Sequence, residues 1–339
     1  MKYFIRKAYF SMFLSLLVVL TTVTTTFAWF ATQQNVIVDT INISIAGSGE
    51  RTDDAGIVLS IDGINFKKDL NSEDLKRAIL LDRGYKTALE MKEAEIDKLY
   101  QNVGFSDATP IDYTDLTKGL TGLHKYDEAY NEPARYISFD LYVSVLNDKY
   151  IDTKGLNLYF SSDEKMAFAD DIKQPILLDP ALLKVDPALA DYPLERYITI
   201  NPINAVRLGT IVYEPMAKGI IANTKVYSSN IYSFTEQEPS YDKTTKCYNF
   251  GGINEDVNMM VEYYNQIMDE KISVPENLKK REDKLIYGQE IFPSSLGCTA
   301  SKMVKIKLML WMEGWDSDCF NLMIGSLSSY EIKFTNQFI

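Results

Sequence analysis

The chain has 339 residues and a formal net charge of −12, with 47 acidic side chains against 35 basic ones. That balance repels phosphate backbones and argues against nucleic-acid binding. With 46% apolar residues the chain has the means to bury a real core, as one large domain or two small ones.

Residues 8–38 carry no charge and follow a basic start that contains Lys2, Arg6 and Lys7. The apolar stretch 12–20 has the length of a signal-peptide core. A threonine-rich tail, 21–26, lowers the hydrophobicity before Ala28. Thr26 and Ala28 then take the −3 and −1 positions for cleavage before Trp29. A second reading stays open: residues 9–31 are long enough to remain as an anchor, since about 20 residues cross the hydrocarbon. In both readings the basic flank stays inside and the body lies outside. Residues 1–28 are therefore expected to be a signal peptide or N-terminal membrane anchor, a hydrophobic export helix. Residues 29–339 are expected to form a single domain, secreted or tethered to the cytoplasmic membrane. Cleavage leaves 311 of the 339 residues and removes three basic ones, moving the charge from −12 to −15.

Strand patterns follow directly. Residues 35–45 alternate in character. Ile57, Leu59 and Ile61 alternate before Asp62 and Gly63, which mark a tight hairpin. Between 136 and 145 the set Ile137, Phe139, Leu141, Val143, Val145 faces one way and Tyr136, Ser138, Asp140, Tyr142, Ser144 the other. Leu156, Leu158 and Phe160 repeat the pattern, as do Val206, Leu208, Thr210 and Val212. Val304, Ile306, Leu308, Leu310 and Met312 enclose Lys305 and Lys307, and the chain closes on Tyr330, Ile332 and Phe334.

Helical signals interrupt the strands. Asn71 caps a helix running to about residue 82, before Gly84. Thr87 and Glu90 form a capping-box pattern for a second helix ahead of Gly104. Residues 256–271 carry a third, with Val257, Met260, Val261, Tyr264 and Met268 on one stripe. Residues 172–202 are punctuated by proline and read as a long surface connection. Strands spread over the whole chain, with helices between them, predict a mainly β fold: an antiparallel β-sandwich, jelly-roll-like, with helical insertions near 69–104 and 254–290.

Chemistry-bearing residues are sparse. His124 is the single histidine, and no CxxC, GxSxG, HExxH, Walker A or dinucleotide glycine fingerprint is present. Zinc bound by thiolate and imidazole is therefore not expected. Cys247, Cys298 and Cys319 allow three pairings in an oxidising compartment. Cys298 and Cys319 flank a strand and are the preferred pair. Glu313, Asp316 and Asp318 crowd oxygen ligands into the turn after that strand. They are the one candidate Ca²⁺ site, set against a plain reading as a solvated turn beside Trp311 and Trp315. No other cofactor is indicated. Arg207, mid-strand among apolar residues, is expected to pair a carboxylate, with the Glu313 turn as its target.

Several blocks resemble a known group. They are the segment 27–31 with its alternating strand, residues 58–66, 136–142 and 204–208, and the stretch from Leu310 to Cys319. They are similar to uncharacterised secreted proteins of low-GC Gram-positive bacteria, themselves loosely similar to TasA and camelysin-type surface and matrix proteins. The resemblance implies an exported structural protein without catalysis, acting through protein partners or self-association at the cell surface. Contact with membrane is expected through the N-terminal segment only. The alternative is a glycan-binding or adhesive module using Tyr136, Tyr142 and Tyr159, and after it a carboxylate-based glycan hydrolase.

Overall fold

The structure, a computed structural model, describes residues 36–45, 56–100, 104–105, 107–121, 136–147, 155–161, 165–168, 175–177, 197–199, 202–221, 225–234, 240–242, 244, 247–249, 284–314, 316 and 327–336. The first strands are β1 (Val36–Ile45), β2 (Ile57–Ser60), β3 (Gly104–Phe105), β4 (Asp107–Pro110), β5 (Leu120–Thr121), β6 (Ile137–Val145) and β7 (Leu158–Phe160). Then come β8 (Lys165–Phe168), β9 (Pro175–Leu177), β10 (Tyr197–Thr199), β11 (Val206–Tyr213), β12 (Met216–Ala217) and β13 (Val226–Ser233). The last are β14 (Ser240–Asp242), β15 (Cys247–Asn249), β16 (Lys284–Leu285), β17 (Glu290–Phe292), β18 (Lys302–Glu313) and β19 (Leu327–Thr335).

The longest alternating segment of the sequence, β18, is the centre of the largest sheet. On one side it pairs β11 and then β12; on the other it pairs β6 and then β4. β2 extends β6, while β13 and β16 extend β11. A second sheet runs β17-β7-β19-β1-β3, with β8 also on β19, and a small third sheet runs β14-β15-β10-β9.

Strand direction overturns the expected antiparallel, jelly-roll-like sandwich. β1 runs parallel to β19, β4 to β18, β10 to β15 and β13 to β16. The sheets are mixed and partly parallel, and among the described residues they form no closed sandwich or jelly roll. The reason is physical. A period of two reports which side chains share a face, and it is silent on the direction of the neighbouring strand. Strands from opposite ends of the chain, such as β1 and β19, need no hairpin to meet.

The expected export helix, residues 1–28, lies outside the described residues, as does the expected helix at 256–271. Among the described residues no helix is long and apolar enough to cross a membrane. The helices among the described residues are short: α1 (Ser72–Asp82), α2 (Glu93–Tyr100) and α3 (Pro202–Ala205). Asn71 caps α1 with a complete capping box. Its side chain accepts from the Asp74 N–H, and the Asp74 carboxylate accepts from the Asn71 N–H. The second box, at Thr87, does not nucleate a helix. Residues 86–90 form turns and α2 begins at Glu93. The hairpin at Asp62 and Gly63 forms, but its return arm pairs only at Lys67 opposite Leu59.

One apolar core joins the two larger sheets. Ile41 and Ile43 of β1, Phe160 of β7 and Phe334 of β19 pack with Leu59, Leu141, Val143, Leu208, Val304 and Ile306. The Phe160 ring meets Tyr232 edge-on at 4.9 Å and Phe334 at 5.7 Å. Helix α1 adds Leu75, Ala78 and Ile79. A fully buried side chain of this size is worth about 1.5–3 kcal/mol, so this cluster is the main stabilising element. Every alternating inner position predicted on β6 and β18 lies in it.

Candidate functional site

The other face of the large sheet holds the polar residues that β18 alternates with. The bottom of that face, at the end of β18, contains the strongest chemical candidate of the sequence. Glu313 ends the strand. Gly314 N–H donates to Ala108 O at 2.9 Å and Asp316 N–H to Glu313 O at 3.0 Å, which folds the turn back on β4. Across from it, Arg207 sits directly opposite Trp311 in the β11–β18 ladder. The Arg207 guanidinium donates to Asp316 Oδ2 at 2.9 Å, to Val206 O at 3.2 Å and to Asn204 O. Both side chains of the ion pair are 0% exposed. Glu313 is also buried, and its Oε2 accepts from Trp311 Nε1 at 3.4 Å.

The carboxylates of the turn therefore point inward. The solvated turn expected for Glu313 and Asp316 is not what forms; Arg207 draws Asp316 into the protein, as its mid-strand position suggested. A guanidinium held by two carbonyls and a carboxylate, with no solvent contact, ties β11 to the turn after β18. Among the described residues no three His, Cys, Asp or Glu side chains converge as a metal ion requires. Asp318 and Trp315 lie outside the described residues.

Above the lock, Trp311 fills a second small core with Ala108, Tyr113, Leu116, Ile211, Ile231 and Met309. Gly209 makes room for it. A Cβ there would stand 2.8 Å from Leu116 Cδ1 and 2.9 Å from Trp311 Cζ3.

Further along the same face lies a set of charges that the sequence reading left unpaired. Lys307 Nζ bonds Asp82 Oδ1 at 2.7 Å, and Ser138 Oγ donates to Asp82 Oδ2. Lys305 Nζ meets Asp140 Oδ2 at 2.7 Å and stands 5.0 Å from the centre of the Tyr213 ring. Burial works against the Lys307 ammonium. The hydrogen bond and charge of Asp82 and the charge of Asp140 outweigh it and hold its pKa above the ordinary lysine value. The signal was present in part: two adjacent strands carry opposite charges at the same alternate positions. Asp82 carried no signal, because a residue at the end of a helix has no periodicity to mark its target.

The other candidates separate. Tyr142 is buried against Met216 and Met303, and burial pushes its phenol up to about 12. Tyr136 is half-buried on the same sheet, whereas Tyr159 is half-buried on the second sheet, bonding Glu290 Oε1 at 3.2 Å. These three rings make no common platform. Cys298 is a free thiol, buried, with its Sγ 3.6 Å from Val143 O; burial pushes it up to about 12. Cys319, its expected partner, lies outside the described residues, as do His124, Ala28 and Trp29. No protein-family model, characterised protein or solved structure matches the chain.

Proposed function

We propose that the chain is an exported protein of the cell envelope or matrix that works through protein contacts. The observation that carries this reading is the N-terminal order of basic residues, an uncharged apolar run, the small residue Ala28 and then strand β1. The resemblance to secreted surface proteins of Gram-positive bacteria supports it. So does the fate of the best chemical candidates: Arg207 and Asp316 spend their charges on each other inside the fold.

β1 lies along β19 from Ile37 to Ile45 within its own chain. Lending it to a neighbouring copy would strip β19 of that partner and uncover Ile41 and Ile43, now 3% and 0% exposed. Contacts made by a surface of the finished fold therefore fit better than exchange of β1.

The experiment is N-terminal sequencing and intact mass of the native protein, with fractionation of cells and medium. Export with cleavage gives a chain beginning at Trp29. Export with a retained anchor gives a membrane fraction accessible to protease from outside. A cytosolic chain that keeps its leader overturns the proposal.

A further inference from the structure

The strands that hold the two larger sheets together come last in the chain. Among the described residues, β18 alone joins β4, β6, β11 and β12, and no two of those four pair with one another. β19 does the same in the second sheet, where it joins β1, β7 and β8. Without β18 and β19 the described strands of these sheets fall into separate pieces. They are the pairs β2-β6, β4-β5 and β17-β7, the row β16-β13-β11, and the contact of β1 with β3.

The loss is greatest for strands that line the core. Ile137–Leu141 of β6 has β18 as its one strand neighbour among the described residues, because β2 reaches only Tyr142–Val145. β1 lies on β19 from Ile37 to Ile45; elsewhere it meets β3 at Val36 and Ile37 and a single bridge at Leu70. Side chains follow the same order. Val304, Ile306, Leu308, Leu310 and Met312 of β18, with Ile332 and Phe334 of β19, are at most 3% exposed and belong to the core that joins the two sheets. The ion pairs Arg207–Asp316, Asp140–Lys305 and Asp82–Lys307 each take one partner from β18 or the turn after it.

We propose that the body folds only once residues 302–335 have been delivered, so that the chain stays open along its earlier length until its last two strands arrive. A lone two-stranded hairpin is marginal in water. Contacts between distant segments repay their ordering cost only when both segments are present. A chain under synthesis reaches its C terminus last, and here that end holds the centre of both sheets. The β2-β6 pair with α1 is the most complete of the earlier pieces. It still lacks the apolar side chains of β18 and β19 that cover Phe139 and Leu141 in the finished core. A chain of this kind remains threadable while it is made, which is what passage through a membrane pore requires. Strand order alone carries the proposal, so it stands apart from the reading of an exported protein.

The full chain, stalled on ribosomes through its C terminus, tests this with two linkers. The long linker frees residues 302–339 from the exit tunnel, and the short one leaves them inside. A brief pulse of protease is followed by mass spectrometry of the peptides. With the long linker, peptides covering 57–82, 137–145 and 206–213 should resist cleavage as they do in the released protein. With the short linker they should be cut about tenfold faster. Resistance of β6 or β11 with the short linker overturns the proposal. A second measurement needs no ribosome: the released full chain refolds from urea under pulsed hydrogen exchange. Amides of α1 and of Ile137–Leu141 should gain protection in the same step as those of β18 and β19. Protection of α1 or of Ile137–Leu141 in an earlier step overturns the proposal as well.

Discussion

Of the ion pairs along the polar face of strand β18, the one just past the strand's end and the one in its middle contrast in their access to water. Past the strand's end, Asp316 meets Arg207 with both side chains at 0% exposure. In its middle, Lys307 meets Asp82 with the two side chains at 27% and 16%. The N···O distances are close, 2.9 and 2.7 Å. Geometry therefore does not distinguish them; access to water does. The first pair has been drawn wholly out of solvent and must be satisfied by the protein alone, which supplies the Asn204 and Val206 carbonyls. The second keeps water as a fallback partner for each charge. Burial makes a pair expensive to break without making it valuable to have, so the sealed pair is a lock and the open pair a modest tie.

Breaking the lock is the largest expected effect. Arg207→Ala leaves the Asp316 carboxylate buried without its counter-charge and with Glu313 nearby. The expected cost is about 3–5 kcal/mol. Set against a typical stability of 5–15 kcal/mol, that brings the fold near its threshold. Urea unfolding followed by tryptophan fluorescence measures it. The double variant Arg207→Met with Asp316→Leu should recover most of the loss, because it removes both buried charges together. A double variant as unstable as the single one would show that the ion pair itself, and not the orphaned charge, sets the cost.

The next effect tests the packing that separates the two pairs. Gly209→Ala puts a methyl group against Leu116 and Trp311. Both contacts are side chains and can shift, so the cost falls in the overpacking range of about 1–3 kcal/mol. The Trp311 emission maximum should move as well, since its indole has to give way. An unchanged stability would mean that the small core around Trp311 has slack.

How far the sequence showed all this depends on the kind of information each feature leaves in the chain. The inner faces of β6 and β18 were readable residue by residue, because burial on one side writes a period of two into a strand. The Asn71 cap of α1 was readable because capping is local. Arg207 was readable as a misfit, a charge among apolar neighbours, and the misfit pointed to its partner turn. Sheet direction was not readable: β1 with β19 and β4 with β18 pair across long stretches of chain, and nothing in either member records the heading of the other. The same holds for Asp82, which reaches Lys307 across 225 positions. Turn chemistry also misled once. Thr87 and Glu90 have the letters of a capping box, yet the Arg77 guanidinium collects the Ala88, Leu89 and Met91 carbonyls, and the backbone there stays in turns.

The open pair gives the smallest effect and the sharpest contrast, because pH tunes it. Lys307→Met should cost about 1 kcal/mol or less near neutrality, the range for pairs that water still reaches. The folded pKa of Lys307 lies above its ordinary value of 10.5. A group raised on folding stabilises fully below its unfolded pKa, and that contribution drains away as pH rises through the folded value. The gap between parent and variant should therefore hold constant up to about pH 10 and close above it. Tyr142 and Tyr232, both pushed up to about 12 by burial, shift the whole molecule in the same direction: each favours the folded state below pH 10 and loses that preference by about pH 12. Since they are present in parent and variant alike, they lower both stability curves without altering the gap. Urea midpoints of the two proteins at neutral pH and through the alkaline range separate the terms. A gap that persists undiminished at the highest pH would assign the effect of Lys307→Met to lost packing of the lysine stem against the sheet, and would remove the charge from the account of this face.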